Sequence, residues 1–242
     1  MGIVYNTNVV RDGLTLHLDA ANPKSYSGSG TAWNDLSGQN NNYTMYGTVP
    51  YLSDNKGCWD FTGLATGTAS SSPLGFTASY GMPFSTTESF TIMSWIYQTT
   101  DAGQTGLFSN AGGADGVRYG PAGGGIYYLI SGTSDPNKEG VLGSGTFSLN
   151  EWVHICVVYD RQDDLGAGNE SVYGYINGEF VQSATLPSPQ TAIGTSSTPG
   201  IVRSSCCQRF IGKLAGLSVY NKPLISSEVQ QNFDATRDRF GI

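Results

Sequence analysis

Leu14, Leu16, Leu18 and Ala20 alternate with Thr15, His17 and Asp19, the period-two pattern of a strand with one face in a core. The pattern returns at residues 152–160, where Val153, Ile155, Val157 and Tyr159 share a face. Residues 89–97 (SFTIMSWIY) are apolar on both faces, which predicts a strand running centrally between packed layers. Residues 126–130 (IYYLI) read as another strand. Asn177-Gly178 sits between two β-type flanks, the signature of a hairpin, because both central residues of a type I′ turn need positive φ. The run Trp33-Asn34-Asp35-Leu36-Ser37-Gly38 predicts a turn in which Asp35 accepts backbone N–H groups. Residues 103–125 read as a glycine-rich insertion, and Asp135-Pro136-Asn137 as a turn. One helix is predicted near the end of the chain. Ser226 would cap it, Glu228 sits where the helix dipole favours an anion, and Val229 and Phe233 form an i, i+4 apolar pair.

With 242 residues and no repeat or low-complexity linker, residues 1–242 read as one domain large enough to stabilise itself without disulfide or metal. The 33 glycines and 14 tyrosines fit many short strands joined by tight turns. Twelve basic against 19 acidic residues give a net charge of -7, which argues against a nucleic-acid partner. No apolar run approaches the length of a membrane span, so no membrane insertion is expected. Polar Asn6, Thr7 and Asn8 follow directly on the first residues, so no signal peptide is read there. Cys58, Cys156, Cys206 and Cys207 lack the spacing of a metal or redox motif. Free thiols are the expectation, in keeping with folding in a reducing cytoplasm.

Three phrases fall in order in the last third: 152–160 (WVHICVVYD), 175–179 (YINGE) and 210–221 (FIGKLAGLSVYN). In this the sequence resembles the laminin-G-like and concanavalin A-like jelly rolls, where the same phrases are consecutive sheet strands. The resemblance implies an all-β fold: a two-sheet antiparallel jelly-roll sandwich with one short C-terminal helix. Residues 13–26 (GLTLHLDAANPKSY) with 33–38 (WNDLSG) are similar to an opening phrase of laminin-G-like structural proteins of tailed, often aquatic, bacteriophages. Residues 221–224 (NKPL), 228–236 (EVQQNFDAT) and 239–242 (RFGI) are similar to their closing phrase, except that Ile225 stands where those proteins usually carry a capping Ser or Thr. This resemblance implies a virion component, such as a head decoration, neck or fibre protein. Such a protein is assembled in the host cytoplasm, is oligomeric on the particle, and contacts capsid, neck or tail proteins.

The jelly rolls also include glucanases that carry Glu-x-Asp-x-x-Glu on one strand for the paired-carboxylate mechanism. No such run exists here, since Glu170 and Glu179 have no Asp between them. His17 and His154, the only histidines, alternate away from their strands' apolar sets and read as solvent-facing or hydrogen-bonded. No catalytic residue is assigned, and the chain is read as no enzyme. Sugar-binding members of the fold often hold calcium. Asp160, Asp163, Asp164 and Glu170 in one loop offer the oxygen ligands that calcium prefers, although their loose spacing equally fits a solvated acidic loop. Tyr119, Tyr127, Tyr128, Tyr173 and Tyr175 are the candidates for stacking on a glycan, or for packing within a sheet. Two apolar residues near the end, Phe240 and Ile242, are expected to be buried against the domain or against a neighbouring subunit in assembly. Two functional readings result. One is a virion structural protein acting through protein–protein contacts. The other is a calcium-assisted, lectin-type domain that attaches to a host cell-surface glycan.

Overall fold

The computed structural model describes residues 8–54, 57–63, 74–78, 80–109, 116–131, 138–186, 192–193, 199–202 and 208–242. In chain order the strands are β1 (Leu14–Asp19), β2 (Ala32–Trp33), β3 (Tyr43–Tyr46), β4 (Tyr51–Leu52), β5 (Cys58–Asp60), β6 (Gly75–Ala78), β7 (Phe90–Gln98) and β8 (Phe108–Ser109). There follow β9 (Gly116–Ala122), β10 (Gly125–Ser131), β11 (Lys138–Leu142), β12 (Trp152–Asp160), β13 (Ser171–Ile176), β14 (Glu179–Thr185), β15 (Gly200–Ile201) and β16 (Gly212–Tyr220). The helix α1 (Ser226–Asp234) and a 3₁₀ turn at Arg237–Arg239 complete them.

Two antiparallel sheets face each other, as the resemblance implies. The first runs β14-β13-β12-β7-β16 and continues into β5 and β4. On the far side of β16, Lys213 and Leu214 pair with β5, while residues from Gly216 to Tyr220 pair with β1. The expected neighbourhood of the first long strand and the last one is therefore a register-matched pairing, Leu18 opposite Leu217. The second sheet runs β11-β10-β9-β8-β15-β6-β3-β2.

Alternation places Val153, Ile155, Val157 and Tyr159 in the core between the sheets, with Ile92 and Ile96 of β7 beside them. The opposite faces of these strands are not left to solvent. Cys156, Val158, Met93, Tyr175 and Tyr220 form a second apolar layer with Leu224 and Val229, and Trp95 with Phe233 forms a third. The helix thus covers the outer face of the first sheet, which explains why β7 and β12 are apolar on both sides.

Several local expectations need correction. Ile225, in extended conformation, is the residue before the first turn of α1, and Glu228 reaches back to accept its N–H at 3.1 Å. Ser226 is already helical, and its hydroxyl lies 3.1 Å from the Tyr175 hydroxyl. The supposed insertion at 103–125 contains β8 and β9, the latter buried along its whole length. Gly120 marks a close approach, since a Cβ there would collide with the Thr105 carbonyl. The turn assigned to Asp135-Pro136-Asn137 lies outside the described residues. The turn around Asp35 forms as read: its carboxylate accepts the N–H groups of His17 and Ser37 at 2.8 Å each and of Asn41 at 3.0 Å.

The hairpin between β13 and β14 has φ of 51° at Asn177 and 83° at Gly178, as a type I′ turn requires. A Cβ on Gly178 would also stand 2.6 Å from Gln230 Oε1 and 3.1 Å from the Phe233 ring, because the turn lies beneath α1. Gly178→Ala should therefore cost about 1–2 kcal/mol, from backbone strain together with displacement of the helix. Chemical denaturation measures it, and an unchanged midpoint would show that the turn tolerates a side chain.

Candidate functional site

The described surface has an open groove of about 470 Å³ where the loop after β12 meets the start of α1, a size in the range of ligand clefts (~300–1,000 Å³). Three separated segments line it: Glu88 before β7, Asp164 and Leu165 from the loop, and Lys222, Ile225 and Glu228 at the helix. Lys222 bridges Asp12 at 2.6 Å and Glu228 at 2.8 Å. Partial burial disfavours its ammonium, but the two carboxylates together outweigh this and raise its pKa above the ordinary value. The groove is thus rich in carboxylate oxygens, with its cation already neutralised.

Beside the groove lies an aromatic strip. Tyr173 and Tyr175 of β13 pack into the layer under α1 together with Leu165. Phe180 pairs with Tyr175 across the hairpin, at centroid distances of 5.8 Å from Tyr175 and 6.5 Å from Tyr173. Phe180 is 52% exposed on edge strand β14, and Ile225 is 51% exposed at the groove. A hydrophobic ring left on an edge next to polar loops was not singled out in the sequence. Its signal is only that Phe180 is the one aromatic residue of a strand otherwise mostly polar or small.

The five tyrosines are not gathered in one place. Tyr119 is fully buried between the sheets, its hydroxyl 2.9 Å from Ser94 Oγ and donating to the Ile155 carbonyl at 2.6 Å. Burial pushes its pKa well up. Tyr127 is buried with its hydroxyl on Glu139 at 2.6 Å, and Tyr128 belongs to the central core. Tyr175 is buried under the helix, and only Tyr173 is half-exposed. Rings with covered faces cannot stack on a sugar, so Tyr119, Tyr127, Tyr128 and Tyr175 are packing residues.

The acidic loop is likewise organised by its own backbone. Asp160 is buried and accepts the N–H groups of Asp164 at 2.8 Å and Leu165 at 3.0 Å. Desolvation raises its pKa, against the lowering effect of those two donors. Asp163, at φ 57°, accepts the Gly168 N–H at 2.7 Å. Asp164 accepts the Ser89 hydroxyl at 2.6 Å, and Glu170 forms a buried ion pair with Arg161 at 3.0 Å. Among the described residues no three carboxylate, His or Cys groups stand together as cation ligands. The four candidates are therefore turn-forming and ion-pairing groups rather than a gathered ligand set. Glu170 and Glu179 stand at opposite ends of the six-residue strand β13, roughly 20 Å apart at ~3.3 Å per residue, beyond the separation of a glycosidase pair.

His154, read as solvent-facing or hydrogen-bonded, is 2% exposed on the helix-covered side of β12, and desolvation pushes its pKa down to about 3. His17 is half-buried, with Nδ1 2.8 Å from Ser218 Oγ. Cys58 and Cys156 are free and buried, and burial raises both thiols, Cys58 to about 11. Cys206 and Cys207 lie outside the described residues. No helix among the described residues is long and apolar enough to cross a membrane. Phe240 packs on the domain itself, stacked 4.1 Å from Trp95, whereas Ile242 is 45% exposed.

No curated protein matches the chain by sequence. Among solved structures, the binding domain of Paraclostridial Mosquitocidal Protein 1 superposes with a TM-score of 0.66 at 17% identity, over 92% of this chain and 52% of that one. The binding domain of botulinum neurotoxin DC in complex with rat synaptotagmin II gives 0.68 at 13% identity, over 94% and 52%. The ligand-binding domain of botulinum neurotoxin serotype D in complex with N-acetylneuraminic acid gives 0.66 at 14%, over 93% and 51%. The chain thus spans about half the length of these structures, and at such identities the likeness establishes the fold. A family model described as the concanavalin A-like lectin/glucanases superfamily matches residues 66–230. That span is more than half of the 242 residues, and the chain belongs to this superfamily.

Proposed function

We propose that the chain is a non-catalytic, lectin-type binding module that takes a cell-surface glycan in the groove beside α1. The observation that carries this reading is the exposed Phe180 ring, packed against Tyr175, whose hydroxyl meets Ser226 at the start of α1 where the carboxylate-lined groove opens. A pyranose presents a C–H face that gains by covering an apolar ring, and hydroxyls that carboxylates such as Asp164 and Glu228 can accept. Toxin binding domains that share this fold over about half their length, one of them in complex with N-acetylneuraminic acid, support a recognition role. The loop carboxylates are already engaged by backbone N–H groups, the Ser89 hydroxyl and Arg161, so the reading needs no calcium.

A second reading concerns where the module sits. The opening and closing phrases, similar to those of tailed-phage structural proteins, favour a place on a virus particle, held by contacts with other virion proteins. The two readings are compatible: a particle-borne module can present its groove to a host surface.

A glycan array, run with and without chelator, tests the first. Binding should survive chelation, and Phe180→Ala should weaken it about tenfold, the equivalent of ~1.4 kcal/mol. Binding abolished by chelation would return a cation to the site. No glycan retained, with the protein found by mass spectrometry in purified particles, would leave the structural reading alone.

A further inference from the structure

Between the outer face of the first sheet and the C-terminal segment lies a cavity of about 60 Å³ whose walls include Trp95, His154, Tyr220, Asn232, Thr236 and Arg239. A water needs ~15 Å³ of such space. Two atoms of these wall residues, His154 Nδ1 and Asn232 Nδ2, are buried without a hydrogen-bond partner among the described residues. His154 is 2% exposed and Asn232 3%. The orientation of the Asn232 amide is fixed, because Oδ1 accepts the Val10 N–H at 2.8 Å and the Tyr220 hydroxyl at 3.3 Å. Its Nδ2 hydrogens are therefore left as donors in search of an acceptor.

The same walls say what the occupant must be. The ionic groups at the cavity, Asp19 and Arg239, neutralise each other at 2.6 Å, so a charged ligand would find no free counter-charge. The imidazole is held uncharged by burial. Met93, Trp95 and Leu217 make much of the lining apolar, which restricts the ligand to a small one with few polar groups.

We propose that this cavity is a binding site for small neutral hydroxyl compounds, water or a short polyol, whose oxygens bond His154 Nδ1 and accept from Asn232 Nδ2. A hydroxyl both donates and accepts, so it suits either imidazole tautomer and the amide N–H alike. The site is separate from the groove and does not depend on the glycan reading.

Crystals grown and frozen without polyols, beside crystals soaked in glycerol, test it at a resolution that shows solvent. Density about 2.6–3.2 Å from both atoms is expected in both arms. Discrete density in the first arm assigns water, and connected density appearing only on soaking assigns the polyol. A dry cavity, or His154 and Asn232 turned onto protein partners, would overturn the proposal. In solution, Asn232 side-chain amide protons should show magnetisation transfer from long-lived bound water or, on titration, from glycerol. Transfer from neither would overturn it equally.

Discussion

Deleting residues 237–242 should lower the stability of the monomer by about 3 kcal/mol, or roughly 6–12 °C in melting temperature for a chain of this size. The Phe240 ring stacks 4.1 Å from Trp95 and lies 4.7 Å from Trp152, so its removal uncovers two tryptophans as well as itself. Burial of such a ring contributes about 2 kcal/mol, and aromatic contact about 1 kcal/mol more. Arg239 donates to Asp19 at 2.6 Å and to the Gly57 carbonyl, tying the tail to the first strand and to the loop before β5. This partly screened pair adds ~1 kcal/mol, and the freedom regained by the released tail offsets part of the total. Phe240→Ala alone should cost about two thirds as much. A monomer that melts unchanged while losing its oligomers or its place in particles would instead assign the tail to assembly.

The long strands were legible because period-two alternation records which face meets the core. Alternation could not record what happens to the other face. His154 and Cys156 stand opposite to Ile155 and Val157 on β12, and only a helix some 70 residues further on decides that they are covered. The same gap left the tyrosines open between stacking on a glycan and packing within a sheet: a ring on a strand is readable as half-buried, and the covering layer is a tertiary fact. Asp35 was readable because two of the N–H groups it accepts, those of Ser37 and Asn41, lie within six residues of it. Asp160, Asp163 and Asp164 were ambiguous because a carboxylate aimed at N–H or hydroxyl donors of its own chain and one aimed at a cation have the same spacing in sequence. The groove itself could not be read, since Glu88, Asp164 and Glu228 come from three segments brought together only by folding.

The opening and closing phrases of the chain build one structural unit. Besides the pairing of β1 with β16, Lys222 reaches Asp12, Val10 donates to Asn232, and Arg239 reaches Asp19. These contacts close the sandwich and seat α1 on the first sheet. Residues before 66 lie outside the family match, yet β1 to β5 supply strands to both sheets. The closure thus joins strands before residue 66 to the matched segment, through the pairing of β1 with β16.

That closure should also make the protein acid-sensitive through His154. Its folded pKa is about 3 against an ordinary 6.5, because the ring is desolvated under Trp95 and Phe233. The unfolded chain therefore binds a proton below about pH 6.5 that the folded chain refuses until about pH 3. The stability contributed by the neutral ring is complete above pH 6.5 and is lost progressively as the pH falls towards 3. At pH 4 the loss from this one group is about 3 kcal/mol relative to pH 7, at ~1.4 kcal/mol per unit. His17, whose pKa burial also lowers, acts in the same direction. Asp160, with a raised pKa, acts in the opposite one. Comparing denaturation midpoints of the wild type and His154→Phe at pH 7 and pH 4 isolates the term. Phe carries no proton and suits a site walled by Trp95 and Phe233, so the variant should lose about 3 kcal/mol less on acidification. Parallel losses in the two proteins would show that His154 is hydrated well enough to take up its proton in the folded state.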